Sequence, residues 1–491
     1  MLWLRVVMLW FMYNVNRAID KLPLFYIGGE WVASSSNDRL SLINPATEES
    51  IGQISLADEV DVELAVAAAT TAFKSFCQSS LKGRIDLLQT ILTIYERRVD
   101  EFAAAISIEM GAPIDFARSA QAQAGIDHLS ALIEDVKAYK FERKLKNGDT
   151  LLMEPIGVCG LITPWNWPIN QIVLKVAPAL AAGCTMVLKP SELTPLSAIL
   201  FAEVIHEAGV PNGVFNMIHG LGQVAGSALS KNPHVAMISF TGSTGAGRSI
   251  IHNSAERIAK TTLELGGKSP NLVFADCELS TAIDQGIGAC FINSGQSCDA
   301  ATRMLIERSV YEKSIELAHD KCERISVGDP TKSGNHLGPL VSQIQFDRVQ
   351  SLITSGFEEG ARCISGGLGK PEEFQVGYYA RPTIFADVSN TMKIAREEIF
   401  GPVLCMMPFD SEQEAIELAN DNAYGLAAYI QTSNCNRAQR VARLLRSGSV
   451  NINNAFIAPG SPFGGYKLSG KGREGGAEGV NEYLEVKVIA S

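Results

Sequence analysis

"ISFTGSTGAGRSI", residues 238–250, runs from an apolar stretch through a Gly/Ser turn into a helical pattern. Strand, tight turn, helix is the repeating unit of a parallel α/β sheet. The flanking sequence repeats it. "IGVCGLIT" (156–163), "CTMVLKP" (184–190) and "GVFNMIHG" (213–220) read as short apolar strands. Helical runs follow them in turn: "INQIVLKVAPALAAG", "PLSAILFAEVIHEAG" and "GQVAGSALSKN". A second alternating series starts at "SPNLVFAD" (269–276) and continues to about residue 460. The expected fold class is α/β, with two doubly wound, Rossmann-like domains and a seam near 264–269.

Smaller parts lie outside these series. "LFYIGGEWV" (24–32) reads as a strand pair around a Gly-Gly turn. From about 58 to 140 the pattern is helical. It opens on acidic residues, which suit a helix N-terminus, and one long stretch of it stops at Gly111. "FERKLKNGDTLLME" (141–154) reads as a polar hairpin and "GVNEYLEVKVIAS" (479–491) as a terminal strand. Both need a partner, and strand addition to a neighbouring subunit would provide one. The expected division is an N-terminal extension (1–23), a nucleotide-binding domain (24–140 and 155–263), a catalytic domain (264–465) and a small β oligomerisation element (141–154 and 466–491).

Composition bounds the function. A chain of 491 residues exceeds one compact core, so two or three domains are expected. The net charge of -11 and the absence of a basic run argue against nucleic acid as a partner. The ten cysteines are scattered, with no C-x-x-C pair, so no metal site is expected. Such thiols suit a reduced, cytoplasmic protein. The apolar opening "MLWLRVVMLWFMY" is shorter than the ~20 residues of a membrane span and lacks a small-residue cleavage pattern. It reads as a non-native extension, with the working chain starting near Met12; an interfacial anchor is the alternative.

Several polar groups stand at strand ends, where open α/β sheets bind ligands. Gly242 and Ser243 open a helix whose N-terminus can receive a phosphate, although the spacing is not G-x-G-x-x-G and a plain βα turn fits as well. Lys189 and Glu192, in "VLKPSELTP", occupy the same edge. A glutamate there accepts hydrogen bonds from ribose hydroxyls and repels a 2'-phosphate, which favours NAD over NADP. A surface pair at a helix start is the plainer reading. "ITPWNWP", "LELGGK", "NSGQSC" and "EEIFGPV" add Asn166, Glu264, Cys298 and Glu398. A thiolate that attacks a carbonyl needs an oxyanion donor, which Asn166 offers, and a base for water, which Glu264 offers. With a nucleotide beside them these parts suit oxidation of an aldehyde to an acid. Composition alone equally allows a structural Cys298, a capping Asn166 and a paired Glu264. Spacing does not bring the three together. Asp299 is an awkward neighbour: facing the thiol it would raise the thiol's pKa, and alternation along the loop would instead turn it away.

From about residue 24 onward the chain resembles the NAD(P)-dependent aldehyde dehydrogenase superfamily, of the hydrolytic, non-CoA-acylating type. "TPWNWP", "LKPSE", "FTGST", "LELGGK", "NSGQSC", "EEIFGPV" and "SPFGGYKLSG" occur in family order. The resemblance implies that Cys298 is the nucleophile, passing through a thiohemiacetal and a thioester. It implies that Glu264 activates the deacylating water and that Asn166 and the Cys298 backbone N–H hold the oxyanion. It places Lys189 and Glu192 on the adenosine ribose. Trp165, Gly222, Gly242, Ser243 and Leu265 join the cofactor site, with Glu398 and Phe400 near the nicotinamide ribose. Glu474 matches a glutamate sometimes assigned to proton relay. Homodimers or homotetramers are usual. Trp167 stands where Phe is commoner, and Gly245 where Glu is commoner. Trp167, Asn170, Gln171, Leu174, Phe291, Phe456 and Phe463 are expected to line the substrate funnel. Their aromatic character suggests a medium-sized apolar or aromatic aldehyde. A semialdehyde dehydrogenase, a CoA-acylating relative and a silent structural paralogue are the alternatives. The presence of Glu264 argues against CoA acylation, and all three site residues against silence. A cysteine hydrolase would need a histidine partner, which the motifs lack.

Overall fold

The computed structural model describes residues 15–490. The expected extension lies outside the described residues as far as residue 14. Residues 15–19 are helical, and Val15, Ala18 and Leu22 are buried in the first core.

Five parallel strands form the middle of the first sheet, in the spatial order Lys260–Leu265, Val235–Gly242, Val158–Ile162, Thr185–Lys189 and Phe215–Met217. All but the ends of these strands are buried, because helices cover both faces; this is why they read as continuous apolar runs. The antiparallel pair Leu24–Ile27 and Glu30–Ala33 extends one edge, with Tyr26 opposite Met217. The short strand Gly470–Lys471 caps the other, with Gly470 opposite Glu264. The sheet that carries Glu264 therefore ends at Leu265, and the second sheet opens at Pro270.

The second sheet has seven strands: Arg362–Ser365, Thr383–Ala386, Val403–Phe409, Arg303–Glu307, Pro270–Val273, Ala427–Gln431 and Ser449–Ile452. Only the first pair is antiparallel. The helices Leu279–Phe291 and Tyr311–Cys322 pack with one face of this sheet, and the helix Gln343–Glu358 with the other.

The acidic residues at 58–61 start a helix as expected. Asp58 caps Glu59–Phe76 by accepting from Val60 N (2.8 Å) and Asp61 N (3.1 Å), worth about 1 kcal/mol. Gly111 ends the helix Val99–Met110 with φ 84°, a left-handed turn that costs glycine little. The hairpin Glu142–Lys144/Thr150–Pro155 and the terminal strand Leu484–Ile489 pair with each other. They form a separate three-stranded sheet with Leu484 opposite Pro155 and Ile489 opposite Thr150. Among the described residues no helix is long and apolar enough to cross a membrane.

Candidate active site

Asn166 lies in the loop that joins the strand Val158–Ile162 to the helix Pro168–Ala182. Cys298 lies in the loop that joins the helix Leu279–Phe291 to the strand Arg303–Glu307. One belongs to each sheet, and hydrogen bonds join the loops. Asn166 Nδ2 donates to the Gln296 carbonyl (3.0 Å), and Trp167 Nε1 to Ser297 Oγ (2.9 Å). Gln121 Nε2 reaches both the Asn166 carbonyl (3.1 Å) and Asn293 Oδ1 (2.9 Å), and Asn293 Nδ2 donates to the Asn166 carbonyl (2.9 Å). All of these groups except Trp167 and the Cys298 side chain are buried.

The nucleophile loop is strained. Asn293, Ser294 and Gly295 are consecutively left-handed, with φ of 55°, 56° and 73°. Each non-glycine residue there costs on the order of 1–2 kcal/mol. A Cβ on Gly295 would lie 2.1 Å from the Gly401 carbonyl, so the loop also packs directly on the Phe400 turn. Side chains lock it: Ser294 Oγ donates to the Gly338 carbonyl (2.8 Å), and Gln296 Oε1 accepts from Val341 N (3.0 Å). Phe400 is itself left-handed, with φ 60°.

Glu264 ends the outermost parallel strand of the first sheet. Its carboxylate is buried and neither oxygen has a hydrogen-bond partner among the described residues. Gly464 leaves room for it, since a Cβ there would stand 2.7 Å from Oε1. Burial, reinforced by the charge of Glu474, pushes the Glu264 pKa well up against the opposing pull of Lys175 and Arg473. Glu474 in turn pairs with Lys175, wholly buried, whose Nζ also donates to Thr241 Oγ1 (2.7 Å).

Cys298 touches the same region: a Cβ on Gly267 would meet the Cys298 carbonyl at 2.6 Å. Burial pushes its thiol well above the ordinary range, and the charges of Asp299, Glu398 and Glu264 push the same way, while its own backbone N–H favours the thiolate. Asp299 is among the charges that act on the thiol. From Asn293 to Ile306 every residue is buried except Cys298 and Asp299, which are half-buried side by side. Tyr429 Oη donates to the Asp299 carbonyl (3.1 Å), which leaves the carboxylate unengaged.

The expected nucleotide residues gather at the carboxyl edge of the first sheet. Lys189 Nζ lies 3.3 Å from Glu192 Oε2 and donates to the Pro190 carbonyl (2.9 Å). Ser243 caps the helix Thr244–Ala255 by accepting from Ala246 N. No atom lies within 4 Å of a Cβ built on Gly222 or Gly245, so the starts of both helical segments are open. A Cβ on Gly242 would lie 2.5 Å from the Phe240 ring, and one on Gly247 would lie 2.9 Å from the buried Leu265. An open helix N-terminus with a capping serine fits a pyrophosphate, and a half-exposed glutamate held by one lysine fits a ribose diol. Trp165, in the loop after a strand of the first sheet, and Phe400, just before a strand of the second, meet edge to face at 5.3 Å. Glu398 Oε1 accepts from Gly267 N (3.1 Å), and burial brings its pKa to about 7.

The funnel residues divide. Trp167 packs its ring edge on Phe116 (5.5 Å). Gln171 is buried with Oε1 unpartnered among the described residues. Leu174 lines a small cavity with His128 and Gly460, and Asn170 is half-buried. Phe463 is half-buried and bridges Glu474, and Phe456 is 87% exposed. Phe291 does not join them. It is buried in the second core with Met304 and Ile306, because it sits on the inner face of its helix; the neighbour left exposed is Ile292. Residues missed by sequence reasoning are Gln121, on a π-helical segment (Ala117–Ala122), and Lys175, whose signal was a lone charge in an apolar helix. Asn293 and Gln296 stood inside a motif already quoted. Among the described residues no group of His, Cys, Asp or Glu could hold a metal ion.

Comparison with known proteins gives one answer. The family model described as "Aldehyde dehydrogenase family" matches residues 31–489. A 3-succinoylsemialdehyde-pyridine dehydrogenase from a Pseudomonas species is 48% identical over 467 residues, covering 95% of this chain and 98% of that protein. A crystal structure of an aldehyde dehydrogenase from Bartonella henselae superposes with a TM-score of 0.94 at 49% identity, covering 95% of this chain and 98% of the other. Aldehyde dehydrogenase C from Pseudomonas syringae, a cysteine-to-alanine variant complexed with NAD+ and octanal, superposes with a TM-score of 0.95 at 44% identity, covering 96% and 97%.

Proposed function

The chain belongs to the aldehyde dehydrogenase family and is an NAD-dependent aldehyde dehydrogenase, and on that premise we propose that Cys298 is its nucleophile, Asn166 its oxyanion donor and Glu264 its deacylation base. One observation carries the assignment. The Asn166 side chain, from one domain, donates to the carbonyl two residues before Cys298, from the other. A primary amide has two N–H groups. One holds the loop, and the second is free for the oxyanion that forms when the Cys298 sulfur attacks the aldehyde carbon. The Cys298 backbone N–H is the other donor.

Lys189 and Glu192 would hold the adenosine ribose. Gly222, Gly242, Ser243 and Leu265 would line the pyrophosphate and adenine side, and Trp165, Glu398 and Phe400 the nicotinamide side. The cofactor, when bound, accepts the hydride. On the protein side, Asn166 steadies the oxygen until the C=O reforms as a thioester on Cys298. Glu264 then takes a proton from water, the resulting hydroxide attacks the thioester carbon, the C–S bond breaks and the acid leaves. Burial raises the pKa of the orphaned Glu264 carboxyl, which makes its deprotonated form a stronger base toward water.

The substrate of this reading is a medium-sized apolar or aromatic aldehyde. Trp167, Phe116 and Phe463 offer aromatic surface, and no lysine or arginine stands beside Cys298 in the loop. The relative named for a semialdehyde joined to a pyridine, and the one bound to octanal, support an uncharged chain or ring. The exposed edge strand Leu484–Ile489 supports assembly as a homodimer or homotetramer. The test is a Glu264→Gln variant mixed with hexanal and NAD. One equivalent of NADH per site should form, followed by a stall with the hexanoyl group on Cys298 detectable by mass spectrometry. Continued turnover at the wild-type rate would remove Glu264 from this role. A higher kcat/KM for succinic semialdehyde than for hexanal or benzaldehyde would overturn the substrate class, and equal use of NADP the role of Glu192.

A further inference from the structure

The carboxylate of Asp299 is left over by this chemistry. The loop buries its neighbours on both sides and leaves only Cys298 and Asp299 partly accessible. The backbone carbonyl of Asp299 is engaged by Tyr429, but its side chain forms no ion pair or hydrogen bond to another residue among those described. The other acidic groups that act on the thiol, Glu398 and Glu264, have their own pKa values raised by burial, which weakens their charge near neutral pH. Lys175 is turned to Glu474 and Thr241, and Arg473 to the carbonyls of Gly465 and Gly472; Lys268, buried beside Gly267 with no hydrogen-bond partner among the described residues, faces the charge of Glu398. Asp299 is the acidic side chain adjacent to the nucleophile in the chain, and no cation is paired with it among the described residues.

We propose that Asp299 is a charge filter for the substrate: it disfavours aldehydes that carry their own anionic group near the carbonyl and admits neutral or cationic ones of the same length. This inference rests on Cys298 being the nucleophile, because only then must every substrate carbonyl pass the Asp299 carboxylate. It assigns the selectivity to one residue, where the preceding reading drew it from the aromatic walls. A like charge held at about 6 Å in a half-exposed cleft, with an effective dielectric between those of water and the protein surface, changes kcat/KM by about tenfold. An aldehyde bearing a quaternary ammonium gains by a similar factor.

The experiment compares kcat/KM for succinic semialdehyde, butanal and betaine aldehyde in wild-type enzyme, Asp299→Asn, Asp299→Ser and Asp299→Glu, with NAD saturating. Removing the charge should raise the succinic semialdehyde-to-butanal ratio about tenfold and lower the betaine aldehyde-to-butanal ratio several-fold. Asp299→Glu, which keeps the charge, should leave both ratios within about twofold. A carboxylate that only tunes the thiol would move all three substrates together through the pH profile and leave the ratios unchanged, which would overturn the filter. Asn and Ser are offered together so that one poorly folding variant does not decide the matter. If wild-type enzyme fails to oxidise butanal, or Cys298→Ala still does so, it is the nucleophile assignment that falls.

Discussion

Lys175→Met is the most informative single change that this structure offers. The methionine keeps most of the stem's volume and deletes only the ammonium. The Lys175 side chain is 0% exposed and that of Glu474 6%, so the lost cation leaves a carboxylate with neither water nor a countercharge. Thr241 Oγ1 loses its partner as well. Breaking a buried pair from one side costs about 3–5 kcal/mol, whereas removing both charges is close to neutral. Unfolding entropy of ~2.1 cal/mol/K per residue gives roughly 1 kcal/mol/K if all 491 residues melt together, and about half that if one domain melts alone. The single variant should therefore melt about 3–10 °C below wild type. The double variant Lys175→Met/Glu474→Leu should recover most of the loss. The charge of Lys175 also holds the Glu264 pKa down, so its removal should push the alkaline rise of deacylation further up the pH scale. Scanning calorimetry on the four proteins of the cycle, with pre-steady-state deacylation followed against pH, reads both effects. A single variant that melts within 1 °C of wild type, or a double variant no more stable than the single, would refute the reasoning.

Two further outcomes are expected. Cys298 and Glu264 both act deprotonated, and burial raises the pKa of each, so log kcat/KM for hexanal should climb from about pH 6 to pH 9; a flat profile would contradict the desolvation described for these groups. Ile258 is a β-branched residue at φ 53°, 91% exposed, so Ile258→Gly should raise stability by about 1 kcal/mol in guanidinium titration, since the strain goes and few contacts are lost; a loss of stability would show that its exposed side chain is held by something else.

Much of the architecture was legible because parallel strands are buried on both faces. "IGVCGLIT" and "CTMVLKP" therefore read as unbroken apolar runs, and the glycines between them mark the turns. Lys189, Glu192, Gly242 and Ser243 stood at strand ends for the same reason. What stayed hidden was phase and distance. Phe291 is the last residue of its helix and Ile292 the non-helical residue that ends it, so one position decides core against surface. Gln121 acts from a π-helical segment, and nothing in its local sequence marks such a turn. The hairpin and the terminal strand were grouped in one β element from the sequence, but their pairing with each other, with Leu484 opposite Pro155, spans more than three hundred positions and its register could not be read. Asp299 was undecided from sequence because its direction depends on three left-handed residues just upstream.

The order of the strands has a consequence for synthesis. Every strand of the second sheet falls between Pro270 and Ile452, in one uninterrupted stretch. The first sheet needs Gly470–Lys471 at its edge, beside Glu264, and the small sheet needs Leu484–Ile489. On the ribosome the later-made domain thus completes its sheet first, while the earlier-made one waits for the last twenty residues or so of the chain. A released chain ending near residue 460 would hold every strand of the second sheet and a first sheet whose Glu264 strand still has a bare edge. Such a polypeptide is a natural client for a chaperone, and truncation from the C-terminus should abolish activity well before it removes any residue of the nucleophile loop.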